Sequence, residues 1–252
     1  MKATEFLRAA EAWPLEGLEA LLPEAGPVLL LSPHPDDESL GCGGLLAQLA
    51  ARGREVRVVL VSDGAASHDS RLYPPRRLAA LRQEEMAAAL AALGLGPERL
   101  VTLGLPDGAV PQEGPGFEAA ATAIGGLALR DGATTILAPW EEDPHGDHLA
   151  TWRMARHVAG DLGLRLLAYP VWGWRHLYPG MLAPVEPVEL AAVPRGVRLD
   201  IAAELPAKRA AVAAHRSQTT GLIADDPGGF VLSPAALDVL LRPWELYLDL
   251  TP

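Results

Sequence analysis

The sequence predicts an α/β fold: a mostly parallel sheet with helices on both faces. Three observations predict it. The runs Pro27 to Leu31, Glu55 to Val61 and Thr134 to Ala138 are largely continuous and apolar, as strands buried on both faces are. Each is followed by a stretch of helical character, and strand–helix alternation on this scale builds parallel sheets. The first and third of these runs end in acids and histidines, and open α/β sheets bind ligands just beyond the carboxyl ends of their strands.

Taken in order, residues 3–22 read as one or two short helices with Leu7, Ala10, Trp13, Leu18 and Leu21 facing inward, one of them started or broken by Pro14. Pro27 to Leu31 is the first strand. Glu38 to Arg52 follows as a helix with Leu40, Leu45, Leu46, Leu49 and Ala50 on its apolar side, stopped by Gly53. Glu55 to Val61 is the second strand, and Ser62 and Asp63 lie at its end. A polar, mobile loop over Ala65 to Pro75 leads to a long helix, Arg76 to Leu93, capped by Gly94. Arg99 to Leu103 is a strand ending in the turn Leu105-Pro106-Asp107-Gly108. Phe117 to Leu129 is helical, Thr134 to Ala138 a strand, Leu149 to Leu162 a helix and Arg165 to Tyr169 a strand. Val197 to Ile201 is a short strand and Pro206 to Arg216 a helix. There is no internal repeat or low-complexity linker, so 1–252 reads as a single domain with a core over 27–218. Residues 219–252 read as an irregular extension with a helix near Pro234 to Leu241. The alternative is a small C-terminal lobe after residue 170.

With 252 residues the chain can bury one large core. Net charge is −11 and no basic stripe is visible, which argues against a nucleic-acid partner; the acidity reads as a solubility feature. The single cysteine, Cys42, excludes an intrachain disulfide framework and fits a reducing cytosol. The first residues read as an amphipathic helix rather than a signal peptide, and no apolar run reaches the ~20 residues of a bilayer span; a cytoplasmic location is expected. Asn is absent and Arg far outnumbers Lys, which fits a thermophile or, equally, a base-composition bias.

The chemistry lies in two clusters. His34-Pro35-Asp36-Asp37-Glu38 follows the first strand, and Pro144-His145-Gly146-Asp147-His148 follows the strand ending at Ala138, more than a hundred residues later. Buried charge is costly unless paired or bound to a metal. His34 and Asp37, spaced i,i+3, can share one side of a turn entering a helix, and His148 supplies a third ligand. Two imidazoles and a carboxylate suit Zn²⁺ and leave a fourth position for water, the catalytic arrangement. Asp36, beside Asp37, is the natural general base. His145 is placed to stabilise an oxyanion or to protonate a leaving amine, and Asp147 to fix an imidazole tautomer. The bland alternative makes His145 and His148 loop or capping residues with Asp147 an N-cap.

These boxes resemble the signatures of the PIG-L (LmbE-like) zinc-dependent N-deacetylases. Arg82-Gln83-Glu84-Glu85 resembles the family's R-x-x-E helix, Pro106-Asp107-Gly108 its PDG turn, and Lys208 with His215-Arg216-Ser217-Gln218 its K…H-x-SQ segment. The resemblance runs from Leu29 to Gln218. It implies a Rossmann-like fold, one zinc per chain held by His34, Asp37 and His148, Asp36 as general base, and His145 at the oxyanion or the leaving group. It implies removal of an acetyl group from an N-acetylglucosamine-type sugar or its conjugate, a small-molecule partner, and the possibility of a homo-oligomer.

Further residues are candidates for the second shell or the substrate. Arg82 can reach a phosphate, carboxylate or sugar hydroxyl, or simply pair with Glu85. Asp107 contacts substrate or only makes the turn. Ser62 and Asp63 are candidate pocket residues at a strand end. His215 and Gln218 lie near the site or only complement a helix dipole. Trp172, Trp174 and Tyr178 stack on a sugar or serve an ordinary core. Cys42 reads as a packing residue, and His68, His157 and His176 as structural or exposed. Loops 64–76 and 170–195 are expected to set substrate choice. Metal-dependent phosphoester hydrolysis is the competing enzyme reading, but it usually wants two metals ~3.5–4 Å apart and more ligands than these. A non-catalytic protein of this fold is the other; Gly41-Cys42-Gly43-Gly44 is not a dinucleotide-binding glycine motif.

Overall fold

A computed structural model describes residues 1–252. Its elements are α1 (Ala3–Ala10), β1 (Leu15–Glu16), α2 (Leu18–Leu21), β2 (Val28–Ser32), α3 (Asp37–Ala51), β3 (Val56–Ser62), α4 (Pro75–Ala92), β4 (Leu100–Leu105), α5 (Gly114–Asp131), β5 (Thr135–Pro139), α6 (Gly146–Leu162), β6 (Arg165–Tyr169), β7 (Arg195–Asp200), α7 (Leu205–Ala214), α8 (Arg216–Thr219), α9 (Pro234–Leu240) and β8 (Trp244–Asp249). They build one eight-stranded sheet, ordered β1-β7-β8-β6-β5-β2-β3-β4. All neighbours are parallel except β8, which is antiparallel to both β6 and β7. Helices α3, α4 and α7 pack together, and α5 packs with α6. No helix is long and apolar enough to cross a membrane.

The buried strands explain the apolar runs. Every residue of β2 and of β5 is buried, as a strand covered on both faces requires. From β2 the chain steps outward to β3 and β4, then returns to β5 and β6 on the other side. The strand order therefore reverses between β2 and β5. Their carboxyl ends lie side by side at the place where such sheets bind ligands, and each is followed by one of the two His/Asp clusters.

Two parts of the chain differ from the sequence expectation. Residues 220–233 are irregular and the expected helix is present as α9, but the end of the chain is not part of an irregular extension: β8 sits inside the sheet, between β6 and β7. Its sequence, Trp-Glu-Leu-Tyr-Leu-Asp, hides a buried strand because Glu245 is itself buried. Glu245 accepts the backbone N–H groups of Gly44 and Leu45 in mid-α3 at 2.7 and 2.9 Å, Lys208 Nζ at 2.7 Å and the Tyr247 hydroxyl at 2.7 Å. That full complement is what lets a carboxylate stay buried. The second difference is the loop before α4, expected to be mobile. It is tied to the C-terminal segment: Ser70 Oγ donates to Asp225 at 2.6 Å, Asp69 N to Asp226 at 2.8 Å, and Phe230 N to the Ser67 carbonyl at 2.9 Å.

Helix α3 lies close enough to the sheet that only small residues fit. A Cβ on Gly41 would come within 2.3 Å of the Tyr169 ring, and one on Gly44 within 2.4 Å of Ile201. These contacts fix the helix whose first turn carries Asp37 and Glu38.

Lys208→Met should destabilise the protein by about 3 kcal/mol, because it strands a buried Glu245; at this chain length that is a fall of roughly 6–12 °C in Tm. The double variant Lys208→Met/Glu245→Gln should recover part of the loss, read by thermal unfolding.

Candidate metal centre and active site

The first cluster is wound onto the end of β2. Ser32 Oγ donates to the His34 carbonyl at 2.8 Å and accepts the Glu38 N–H at 3.1 Å, stitching strand to helix. Glu38 Oε2 accepts the Asp36 N–H at 3.1 Å, and Glu38 Oε1 lies 3.0 Å from His215 Nε2. Asp36, the N-cap of α3, has φ +148°, the only positive φ outside glycine. Such a backbone costs on the order of 1–3 kcal/mol and persists where its surroundings enforce it; Glu38 supplies that enforcement.

His34, Asp37 and His148 converge. His34 Nδ1 lies 3.1 Å from Asp37 Oδ2, and His148 Nε2 lies 3.2 Å from the same oxygen. The outer nitrogens are held by other carboxylates. His34 Nε2 is 3.1 Å from Asp147 Oδ2 and 3.2 Å from Asp107 Oδ1; His148 Nδ1 is 3.0 Å from Asp143 Oδ2. A carboxylate partner places the ring proton on the outer nitrogen and leaves the inner one as a lone pair. His148 Nε2 is buried and makes no hydrogen bond. Once the inner nitrogens are deprotonated, two imidazole lone pairs face one carboxylate oxygen, a donor set that fits a divalent cation such as zinc.

The charges agree. Burial alone would lower both histidines, but Asp107, Asp147 and Asp37 lift His34 well above its ordinary value, and Asp37 and Asp143 lift His148 to about 9. Burial pushes Asp37 up, yet His148 and His34 outweigh it and hold the carboxyl far below the usual range. The pocket is thus set for positive charge, and binding a metal must displace protons from its imidazoles.

Two other groupings are close in space. Nitrogens of His34, His145 and His148 lie within 4.8 Å of one another, as do ligand atoms of His34, Asp107 and Asp147. In the second, the carboxylates already accept backbone N–H groups: Asp147 from Gly108 at 2.7 Å and Val110 at 3.1 Å, Asp107 from Ala66 at 2.8 Å. They act as holders of the His34 ring. His145 is the N-cap of α6; its Nδ1 accepts the Asp147 N–H at 3.2 Å, which leaves Nε2 to carry the proton. Its ring lies 4.7 Å from that of His34 and 5.1 Å from that of His148. His145 keeps an exposed surface, and partial desolvation with the neighbouring imidazoles lowers it to about 4.

Asp36 opens into a cavity of about 350 Å³ beside the convergence point. Burial raises its carboxyl to about 6, with Arg82 pulling the other way. Arg82 does not pair with Glu85. It donates to the carbonyls of Gly64 at 2.9 Å and Pro35 at 3.0 Å, lies 3.3 Å from Asp36 and 3.8 Å from Asp107. Glu85 instead accepts from the N–H and hydroxyl of Ser217. His34, Asp36, Asp37, Arg82, Asp107, His145, Trp172 and Gln218 all line the cavity.

Other candidates lie elsewhere. His215 is buried behind Glu38. Trp174 and Tyr178 turn away, against Trp244 and Arg242. Asp63 accepts the Ala65 and Asp107 N–H groups, which shapes the PDG turn from outside the cavity, and Ser62 is buried away from it. Cys42, within α3, is buried.

Sequence reasoning missed Asp143. It accepts the N–H groups of Val171, Trp172 and Gly173 at 3.0, 3.0 and 2.6 Å as well as facing His148. One carboxylate thus holds both a candidate ligand and the turn after β6. Its only sequence signal is membership of Glu141-Glu142-Asp143, where nothing separates the three acids. Arg175 and Leu182, which also line the cavity, fall in the loop 170–195 expected to set substrate choice but were not singled out within it, and Phe230 was missed because it comes from a segment without a motif.

Purified protein is expected to hold close to one zinc per chain, with His148→Ala losing most of it and Asp143→Ala weakening affinity by roughly 10- to 100-fold, both read by metal analysis against a competing chelator. Unchanged zinc in His148→Ala would remove it from the ligand set.

Residues 29–159, just over half of the chain, match the family model described as PIG-L, GlcNAc-PI de-N-acetylase. Among curated relatives, the chain is 32% identical over 158 residues to 2'-N-acetylparomamine deacetylase of Streptomyces fradiae, covering 57% of this chain and 56% of that protein. The match thus spans little more than half of that relative's length. It is 26% identical over 243 residues to 1D-myo-inositol 2-acetamido-2-deoxy-alpha-D-glucopyranoside deacetylase of Rhodococcus opacus (strain B4), covering 77% of this chain and 82% of that one. Among solved structures, N,N'-diacetylchitobiose deacetylase from Pyrococcus horikoshii shares the fold with a TM-score of 0.62 and 21% identity, covering 84% of this chain and 76% of that one. Both clusters, at the adjoining ends of β2 and β5, lie within the matched residues, and the chain belongs to the PIG-L family.

Proposed function

We propose that this chain is a zinc-dependent hydrolase that removes an acetyl group from an N-acetylated amino sugar or its conjugate. The observation that carries the reading is the placement of Asp36. Its carboxylate is buried next to Asp37, opens into the cavity that His34 also lines, and sits on a strained backbone with its proton affinity raised toward neutrality. The relatives that deacetylate amino-sugar conjugates support the substrate class.

His34, Asp37 and His148 would hold the metal, which supplies Lewis acidity to water and to the amide carbonyl. Asp36 takes the proton from the attacking water and later hands it to the departing nitrogen. The water oxygen bonds to the carbonyl carbon, the C–N bond breaks, and the products are the free amine and acetic acid, which leaves as acetate after giving its proton to solvent. A base whose pKa lies close to the working pH suits both transfers, and Arg82 keeps Asp36 ionised before the reaction. His145 acts as an oxyanion donor: with Nδ1 occupied by the Asp147 N–H, its Nε2–H is free to face negative charge developing on the carbonyl oxygen. Asp147 and Asp143 position imidazoles, and Trp172 offers a flat face to a sugar ring.

Acetate release from methyl N-acetylglucosaminide and related glycosides tests the reading. Asp36→Ala should keep its zinc and lose activity by about 10²–10⁴-fold. A fully active variant, or a substrate panel that yields only phosphate, would contradict it. A carboxylate base works deprotonated, so kcat/KM should rise with pH through the Asp36 pKa. Arg82→Gln removes the cation that lowers this pKa, so the acid limb should move to higher pH.

A further inference from the structure

Two arginines line the cavity, and they differ in what surrounds them. Arg82 is committed to two carbonyls and to Asp36 and Asp107. Arg175 has no carboxylate partner; its Nε donates to the Ala183 carbonyl at 2.9 Å and one terminal nitrogen reaches the same oxygen. A guanidinium carries five N–H donors, so three remain for a ligand. In a chain of net charge −11, in a cavity also lined by Asp36, Asp37 and Asp107, Arg175 is a cation in no ion pair, with Asp143 acting on it only from a longer distance.

Its placement is built. Arg175 belongs to the helical turn Trp172–His176 after β6. The start of that turn hangs on Asp143, which accepts from Val171, Trp172 and Gly173 and also faces His148 Nδ1. The turn is therefore registered to the metal centre by one buried carboxylate. On the same wall, Phe230 stands edge-on to Trp172, with centroids 5.7 Å apart and planes at 88°. Leu182, next to the carbonyl that Arg175 grips, completes an apolar surround. A guanidinium held in partly apolar surroundings binds phosphate or carboxylate through paired, charge-assisted hydrogen bonds.

We infer that Arg175 is a specificity-determining residue that binds an anionic group, phosphate or carboxylate, on the part of the substrate remote from the acetamide. The site then selects acidic conjugates of an N-acetylated amino sugar over neutral ones. This rests on the deacetylase reading above.

The test measures acetate release by the zinc-loaded full chain from methyl N-acetylglucosaminide, N-acetylglucosamine 1-phosphate and a 1-O-carboxymethyl N-acetylglucosaminide. At least one acidic substrate should exceed the neutral glycoside in kcat/KM by about tenfold, the scale of one charged hydrogen-bonded contact, and whichever acid is preferred identifies the anion. Arg175→Gln should collapse the acidic-to-neutral ratio, chiefly through KM, while Arg175→Lys keeps part of it; added salt should narrow the ratio in the wild type. A wild type with no acidic preference overturns the inference. So does an Arg175→Gln variant in which both substrate types fall together, since that marks a clamp on Ala183. If no substrate releases acetate, the deacetylase reading fails. Calorimetric binding of glucosamine 1-phosphate against methyl glucosaminide, to wild type and Arg175→Gln, then still decides whether Arg175 selects an anion: equal affinities would overturn it.

Discussion

Everything at this site depends on one oxygen, Asp37 Oδ2, faced by an imidazole nitrogen from each of two strand ends. A buried carboxylate opposed by two lone pairs is unstable unless a cation or protons lie between them. The fold exists around that constraint. β2 and β5 are neighbours only because the chain reverses its strand order there, and no local segment could bring His34 and His148 together. Asp107, Asp147 and Asp143 then turn the two rings so that their lone pairs point inward.

The same arrangement separates the roles of neighbouring acids. Asp36 and Asp37 are adjacent in sequence, yet burial lifts one toward neutrality while two imidazoles hold the other fully ionised. Pairs of carboxyls driven apart in this way are how one site supplies both a fixed anion and a proton carrier. The strained backbone of Asp36 contributes: at φ +148° its side chain leaves the helix and enters the cavity, and Glu38 retains that conformation through the Asp36 N–H.

Much of this was legible in the sequence. The buried parallel strands were readable because nothing polar interrupts them, and both His/Asp clusters stood at strand ends. The spacing of His34 and Asp37 already suggested a shared ligand set. What could not be read depended on partners distant in sequence. β8 was hidden by Glu245, whose burial makes sense only once Lys208 and the Gly44 and Leu45 N–H groups are beside it. Asp143 was one acid among three until the turn after β6 folded over it. Trp172, Trp174 and Tyr178 were equivalent as sequence, and only packing turned the first into the cavity. The loop before α4 looked free because its anchors, Asp225 and Asp226, lie about 155 residues later.

The most direct measurement is an anomalous-difference map at the zinc edge from crystals of the metal-loaded protein. One peak is expected among His34 Nδ1, Asp37 Oδ2 and His148 Nε2, with Asp36 beside it and uncoordinated. A peak on the other side of the His34 ring, among Nε2, Asp107 and Asp147, would contradict it.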